Sequence, residues 1–245
     1  MIKITSRIND RIKHLRKLLS DRDYRYEQKE FAVEGVRALD GIKNILELYV
    51  REDVNPPDIE CARTYIVSKG AFESAALTEN SQGVIAVARL DVLGVSGLDK
   101  DSRYLLLDRL QDPGNMGTII RTACAFGFKG VVTTPGTVDP FSPKVTRAAA
   151  GALWKIDVIR AESLDAVSPF NIIAADPSGI DVNGFEWPAG FLLAVGNEAG
   201  GLSEDIKRSA RTSVRIPISE NMESLNASVS AGILMYLSFK ATGGK

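Results

Sequence analysis

The chain has 245 residues, long for one domain and ample for two, and its 30 Lys and Arg against 31 Asp and Glu give a formal charge of −1 that offers a polyanion no global attraction. Two cysteines, Cys61 and Cys124, and a single histidine, His14, exclude a disulfide framework, do not make a zinc site, and leave no histidine base in the C-terminal half. No apolar run approaches the roughly 18 residues of a membrane span, and no basic-then-apolar leader opens the sequence, so the expected compartment is the reducing cytoplasm, with no membrane partner.

Charge is unevenly spread. Residues 1–20 carry Lys3, Arg7, Arg11, Lys13, Arg16 and Lys17 against Asp10 alone, a footprint suited to a phosphate backbone and equally to a solvated helix face. Ile12, Leu15, Leu18 and Leu19 place an apolar stripe on a helix over 10–19. Residues 30–35 half-alternate as a strand, and Gly35 opens a helix through Val36, Leu39, Ile42 and Ile45. A strand over 46–50, a loop at 55–57, a strand over 65–67, a helix over 69–77 capped by Ser68 and a strand over 83–88 complete a small α/β sandwich. Residues 89–103, with their acids, glycines and serines, read as a linker, and the domain boundary falls near residue 98.

The second half opens on a strand over 103–110, whose apolar run 104–107 suits burial on both faces. After the turn QDPGNMG a helix runs over 118–126 with Arg121 and Cys124; 130–134 is a second buried strand, and Pro143 opens a helix of small residues. Strands follow at 156–159, 172–175 and 191–195, and the last runs straight into GNEAGGLS, where Ser203 caps a helix through Ala210. The final stretch alternates at Val214, Ile216 and Ile218 like a strand end. It then passes a polar loop over 219–224 and enters a helix carrying Leu225, Val229, Gly232, Ile233, Tyr236 and Leu237. Three loops at strand ends, 111–118, 196–203 and 217–225, thus gather Asn, Gly, Ser and Glu where open parallel sheets bind ligands.

None of these loops is a complete phosphate-binding fingerprint. DPGNMG lacks the lysine of a P-loop, neither it nor GNEAGG spells G-x-G-x-x-G, and Glu198 would repel a phosphate. Taken singly, Asn115 is a turn residue, Ser224 and Asn226 are helix cappers, and Arg121 is a solvated cation.

The three loops in this order, DPGNMGTIIRTA (112–123), GNEAGGLS (196–203) and IPISENMESLNASVSA (216–231), resemble the three motifs of the SpoU/TrmH family, the RNA ribose 2′-O-methyltransferases of the SPOUT class. EFAVEGVRAL (30–39) resembles the L30e-like substrate-binding domain that often precedes that catalytic domain. The resemblance implies an α/β protein in two domains: an L30e-like RNA substrate-binding domain over 1–98, and over 99–245 a parallel-sheet methyltransferase domain closed by a deep trefoil knot. It implies S-adenosylmethionine held near Thr134, Gly196, Ile216 and Leu225, a homodimer through the knotted domain, and an RNA partner, ribosomal ahead of transfer RNA. Asn115, Arg121, Glu198, Ser224 and Asn226 become the catalytic set, with Asn115 and Glu198 fixing Arg121 and the substrate. Arg147 also fits the family pattern, with two readings open, a face turned to RNA or a pair with a surface carboxylate. The family often has glycine after the third-motif proline, where this chain has Ser219, Glu220 and Asn221, so the shape of that loop is its own. The alternative from another class is a non-catalytic RNA-binding protein that keeps the fold.

Overall fold

A short edge strand that the sequence does not announce, β1 (Ile2–Ile4), starts the first sheet of the computed structural model, which describes residues 2–243. The stripe of Ile12, Leu15, Leu18 and Leu19 is buried on α1 (Asp10–Ser20), whose N-cap is Asn9. A second helix follows at once, α2 (Arg22–Gln28), because Asp21 ends the first and accepts the Tyr24 N–H to cap the next. Then come β2 (Glu30–Glu34), β3 (Ile45–Arg51), β4 (Arg63–Val67), α3 (Lys69–Glu73) and β5 (Val84–Arg89). The sheet order is β1-β4-β3-β5-β2, parallel among the first three and antiparallel at both pairings of β5. Tyr49, Tyr65 and Phe72 form its core with the stripe of α1.

Two helix expectations fail here. After Gly35 only one 3₁₀ turn forms, Val36–Leu39, because Gly41 and Asn44 both sit at positive φ and turn the chain away before Ile45 enters β3. The helix after Ser68 stops at Glu73, and Ser68 makes no side-chain cap bond, its hydroxyl donating to the Thr5 carbonyl instead.

The second unit begins inside the stretch read as linker, where β6 (Leu93–Gly94) forms an edge strand. Its other elements are β7 (Arg103–Leu107), α4 (Pro113–Ala125), β8 (Gly130–Thr133), α5 (Pro143–Ala149), β9 (Asp157–Arg160), β10 (Ile172–Asp181), β11 (Phe191–Val195), α6 (Glu204–Ser209), β12 (Thr212–Arg215) and α7 (Ala227–Ala241), of which α5 belongs elsewhere. The seven strands run in the order β12-β10-β11-β7-β8-β9-β6, all parallel. Tyr104 to Leu107 are buried at every position, as strands covered on both faces require. Because β7 and β11 pair without slippage, from Phe191 opposite Arg103 to Val195 opposite Leu107, their carboxyl ends stop level and their loops emerge side by side. The alternation of Ile216 and Ile218 does not extend β12, which ends at Arg215, and Leu225 lies outside α7. No helix among the described residues is long and apolar enough to cross a membrane.

By its packing the chain divides into one unit up to Asp91 together with Phe141–Trp154, and another of Val92–Pro140 with the chain from Lys155 onward. The 141–154 segment is fixed in the first unit by aromatic contacts that no local pattern reveals. Trp154 stacks on Phe31 of β2 at 4.9 Å and donates its indole N–H to the Ala38 carbonyl at 2.7 Å, and Phe141 packs on the same ring at 5.3 Å. Trp154→Ala is expected to lower unfolding stability by about 3 kcal/mol, read from the urea midpoint followed by circular dichroism. A loss within error of zero would mean the segment does not hold to this unit in solution.

Candidate active site

The turn ahead of α4 is itself helical. Asp112 is the N-cap and accepts the Asn115 N–H at 2.6 Å, while Pro113 stands at the first helical position, where it lacks only an N–H that would have no partner in any case. The helix therefore begins five residues before the expected 118, and Asn115 projects from its first turn rather than from a loop.

Beside it lies the loop from β11. Gly196 approaches Gly201 so closely that a Cβ there would sit 2.2 Å from the Gly201 carbonyl carbon, and only glycine fits. The loop is cross-tied by Asn197 and Gly201, which exchange both backbone bonds. The Asn197 side chain accepts the N–H of Ala199 and Gly200 and donates to the Arg109 carbonyl at 2.9 Å. Sequence reasoning passed over Asn197, although its Asn-x-x-Gly turn chemistry was visible.

This construction aims Glu198 at the start of α4. Its carboxylate accepts the backbone N–H of Gln111 at 3.2 Å and of Asp112 at 3.1 Å, and the Asn115 side-chain N–H at 3.0 Å. The Asn115 carbonyl oxygen in turn accepts Asn226 Nδ2 at 3.0 Å, and Asn226 Oδ1 caps α7 through the N–H groups of Ser228 and Val229. One hydrogen-bonded chain, Glu198 to Asn115 to Asn226, thus joins all three loops. Burial pushes the Glu198 carboxyl up, but the bonds from Asn115, from its own backbone and from Gln111 and Asp112 outweigh it and hold it below the ordinary glutamate value.

Under this chain sits a fully buried carboxylate that the sequence hid in an apolar run. Asp108 accepts the Ser203 N–H at 2.7 Å with one oxygen, and the other lies 3.2 Å from the Thr134 hydroxyl and 3.4 Å from Arg109 Nε. Ser203 caps α6 by accepting the Ile206 N–H, as the sequence indicated.

Two of the three loops, 196–203 and 217–225, enclose a chamber of about 680 Å3 within the second unit with residues 175–177 of β10 and the carboxyl ends of β11 and β12, while the 111–118 loop braces them from outside its lining. Gly196, Glu198, Ile216, Ser224, Leu225 and Asn226 line it. Thr134 is not in that lining: it is buried in the latch with Asp108, where its hydroxyl also accepts the Arg109 N–H. Arg121 is exposed on α4 and makes no bond to Asn115 or Glu198. Those two are committed to each other, and six residues of helix turn Arg121 onto another face of α4. Ser224 stands at the rim with its hydroxyl exposed.

A chamber of this size suits a cofactor of nucleoside dimensions. Its apolar wall of Ile216, Leu225 and Leu234, the glycine cradle at 196 and the ionised Glu198 accept a sulfonium nucleoside and repel a phosphate-bearing one. The all-parallel sheet and its three tied loops therefore define a transferase site of the SPOUT class. Residues 102–236 match the SpoU rRNA methylase family, and residues 9–86 match the MRM3-like substrate binding domain. The chain belongs to the SpoU/TrmH family of RNA 2′-O-methyltransferases. It is 31% identical to the 23S rRNA (guanosine(2553)-2′-O)-methyltransferase RlmP of Bacillus subtilis, over 96% of this chain and 98% of that protein. It superposes with a TM-score of 0.87 on the SpoU methyltransferase AviRb of Streptomyces viridochromogenes in complex with AdoMet, at 25% identity over 97% and 100% of the two chains. A structure described as an RNA 2′-O ribose methyltransferase matches with a TM-score of 0.78, at 30% identity over 98% and 99%.

The depressed pKa of Glu198 sets a pH signature. Its stabilising bonds are fully present above the unfolded value of 4.5 and are lost as pH falls through the lower folded value. Urea midpoints of wild type and Glu198→Gln should therefore differ most near neutrality and converge as pH falls below 4.5 and through the lower folded value. A gap that is constant with pH would show that the carboxylate is not ionised in these bonds.

Proposed function

We propose that the protein transfers the methyl group of S-adenosylmethionine to a ribose 2′-hydroxyl of ribosomal RNA. The observation that carries this reading is the Glu198–Asn115–Asn226 chain, through which the start of α4 braces the two motif loops that line a chamber suited to the donor. S-adenosylmethionine supplies an already activated methyl on a sulfonium leaving group. The remaining work is alignment: the hydroxyl oxygen must stand roughly 3 to 3.5 Å from the methyl carbon, in line with the breaking C–S bond. The new O–C bond forms as that bond breaks, its electrons staying on sulfur, and the hydroxyl proton leaves to phosphate or water.

Gly196, Ile216 and Leu225 hold the donor, and Asn226 and Ser224 at the rim receive the ribose. Arg121 is free on the exposed face of α4 and grips the neighbouring phosphate with its fork of N–H donors, polarising the hydroxyl. As a guanidinium it offers donors and no acceptor, so it does not serve as the base. Asn115 and Glu198 act on the substrate indirectly, through the loops they tie.

The reading extends to assembly and topology. The segment after β12 meets the start of α4 through Asn226, and the reading closes this domain with the trefoil knot that the resemblance implies. On α7, Val229 (49% exposed) and Tyr236 (48%) are half exposed along the edge shared with α4, where Gly232 faces Thr122 and Tyr236 packs on Phe126 at 5.7 Å, and this edge takes a second copy of the chain. The first unit is the RNA substrate-binding domain.

Tritiated methyl transfer from the labelled donor to deproteinised ribosomal RNA tests the activity, and a protein that binds the donor without transfer would instead be a non-catalytic RNA binder. Arg121→Ala should keep donor affinity within about threefold while turnover falls at least about 100-fold. Comparable turnover would remove the arginine from the mechanism. Tyr236→Glu should convert a dimer to a monomer in sedimentation velocity, and a wild-type monomer would overturn the assembly.

A further inference from the structure

Half of the cations that stand out in the sequence are held in ion pairs by the fold. Lys3 pairs with Glu52 at 3.3 Å, Lys13 with Asp10 at 2.9 Å and Arg11 with Glu47. Arg16 donates to the Arg7 and Ile12 carbonyls, and Lys17 lies over the Tyr24 ring. The fold thus leaves Arg7, Arg16 and Lys17 without an ion pair among the described residues but brings Glu47 and Glu52 to this window.

Elsewhere in the same unit the opposite happens. The 3₁₀ turn Val36–Leu39 and the segment carrying α5 are far apart in sequence but meet backbone to backbone: a Cβ on Gly151 would lie 3.0 Å from the Asp40 carbonyl oxygen and 3.6 Å from that of Arg37. Gly151, at φ 82°, follows directly on the end of α5, where Ala150 N–H donates to the Arg147 carbonyl. Trp154 clamps the two pieces through its bond to Ala38. This junction exposes Arg37 and Lys43 from one strip of chain and Lys144 and Arg147 from the other, the latter two three residues apart on one helix. None of the four has an ion-pair partner among the described residues, and the one carboxylate of the 36–43 strip, Asp40, is itself engaged.

We infer that the phosphate backbone of the substrate RNA docks on this junction, on Arg37, Lys43, Lys144 and Arg147, rather than on the face of α1. The inference rests on the reading that the protein acts on RNA, and it names the surface. Charge complementarity selects the occupant: four unpaired cations on a rigid base fit a polyanion, and two arginines among them fit phosphate oxygens in pairs. Half the surface comes from 144 and 147, which fall within the span matched to the methylase family yet fold with the substrate-binding unit, so neither matched region carries the surface alone.

The test measures binding of in vitro transcribed 23S rRNA to the full chain over a salt series. Arg37→Gln with Arg147→Gln should weaken binding about 20-fold near 0.15 M salt and reduce the log–log salt slope by about 2, while Lys13→Gln with Lys17→Gln changes affinity less than about threefold. Lys144→Glu alone should lower affinity as well, which covers poor folding of the double variant. Donor affinity by calorimetry should stay within about twofold in every variant. Unchanged RNA affinity in the junction variants, or an equal loss in the α1 variant, overturns the proposal. Failure of methyl transfer with junction-dependent RNA binding would instead overturn the methylation reading and leave this surface standing.

Discussion

The polarity of one hydrogen-bonded chain governs the site. At one end Glu198 is ionised and can only accept; at the other the N–H groups of Ser228 and Val229 can only donate. Between them Asn115 and Asn226 must each orient the side-chain amide one way, nitrogen toward Glu198 and oxygen toward α7. Neither amide can flip without setting two donors or two acceptors face to face. Replacing either asparagine with aspartate would likewise leave an acceptor against an acceptor. Three loops from three strands are thereby held in a single arrangement, and the chamber inherits its shape from it.

That chain is possible because of what lies below. The level ends of β7 and β11 put residues 108–112 beside 196–203, and Asp108 N–H donates to the Val195 carbonyl at 2.9 Å to continue the ladder into the loops. The buried Asp108 carboxylate then ties the start of α6 to the end of β8 through Ser203 and Thr134. A buried carboxylate lacking its donors costs several kcal/mol, so these loops cannot separate cheaply. The stack runs from sheet register to buried latch to exposed chain, each level fixing the one above.

Much of this was legible in the residues. The buried strands, the Ser203 cap and the gathering of Asn, Gly and Glu at strand ends all follow from local chemistry, and the three motifs identified the family. What was missed depended on long-range contacts or on ambiguous residues. Pro113 and Gly114 read as breakers, but proline at the first helical position starts a helix, so Asn115 moved from loop to helix. Ile216 and Ile218 alternate like a strand, but they form the chamber wall instead of pairing. Asp108 looks like the polar end of an apolar run until the Ser203 N–H arrives from residues far along the chain. The capture of 141–154 by Phe31 leaves no periodic trace at all.

Charge follows the same logic. A protein of net charge −1 gains no long-range pull toward RNA, so its attraction has to be local and built by the fold. A sequence window counts cations without knowing which carboxylates will reach them. Glu47 on β3 and Glu52 just beyond it lie far from residues 1–20 in sequence, and each pairs with one cation of the most basic window in the chain. Arg37 and Arg147 stand in windows of no special charge and are brought together only because glycine at 151 lets two backbones touch. The electrostatic surface that matters is thus a product of tertiary structure, and it depends on the same small-residue and aromatic contacts that hold the 141–154 segment in place.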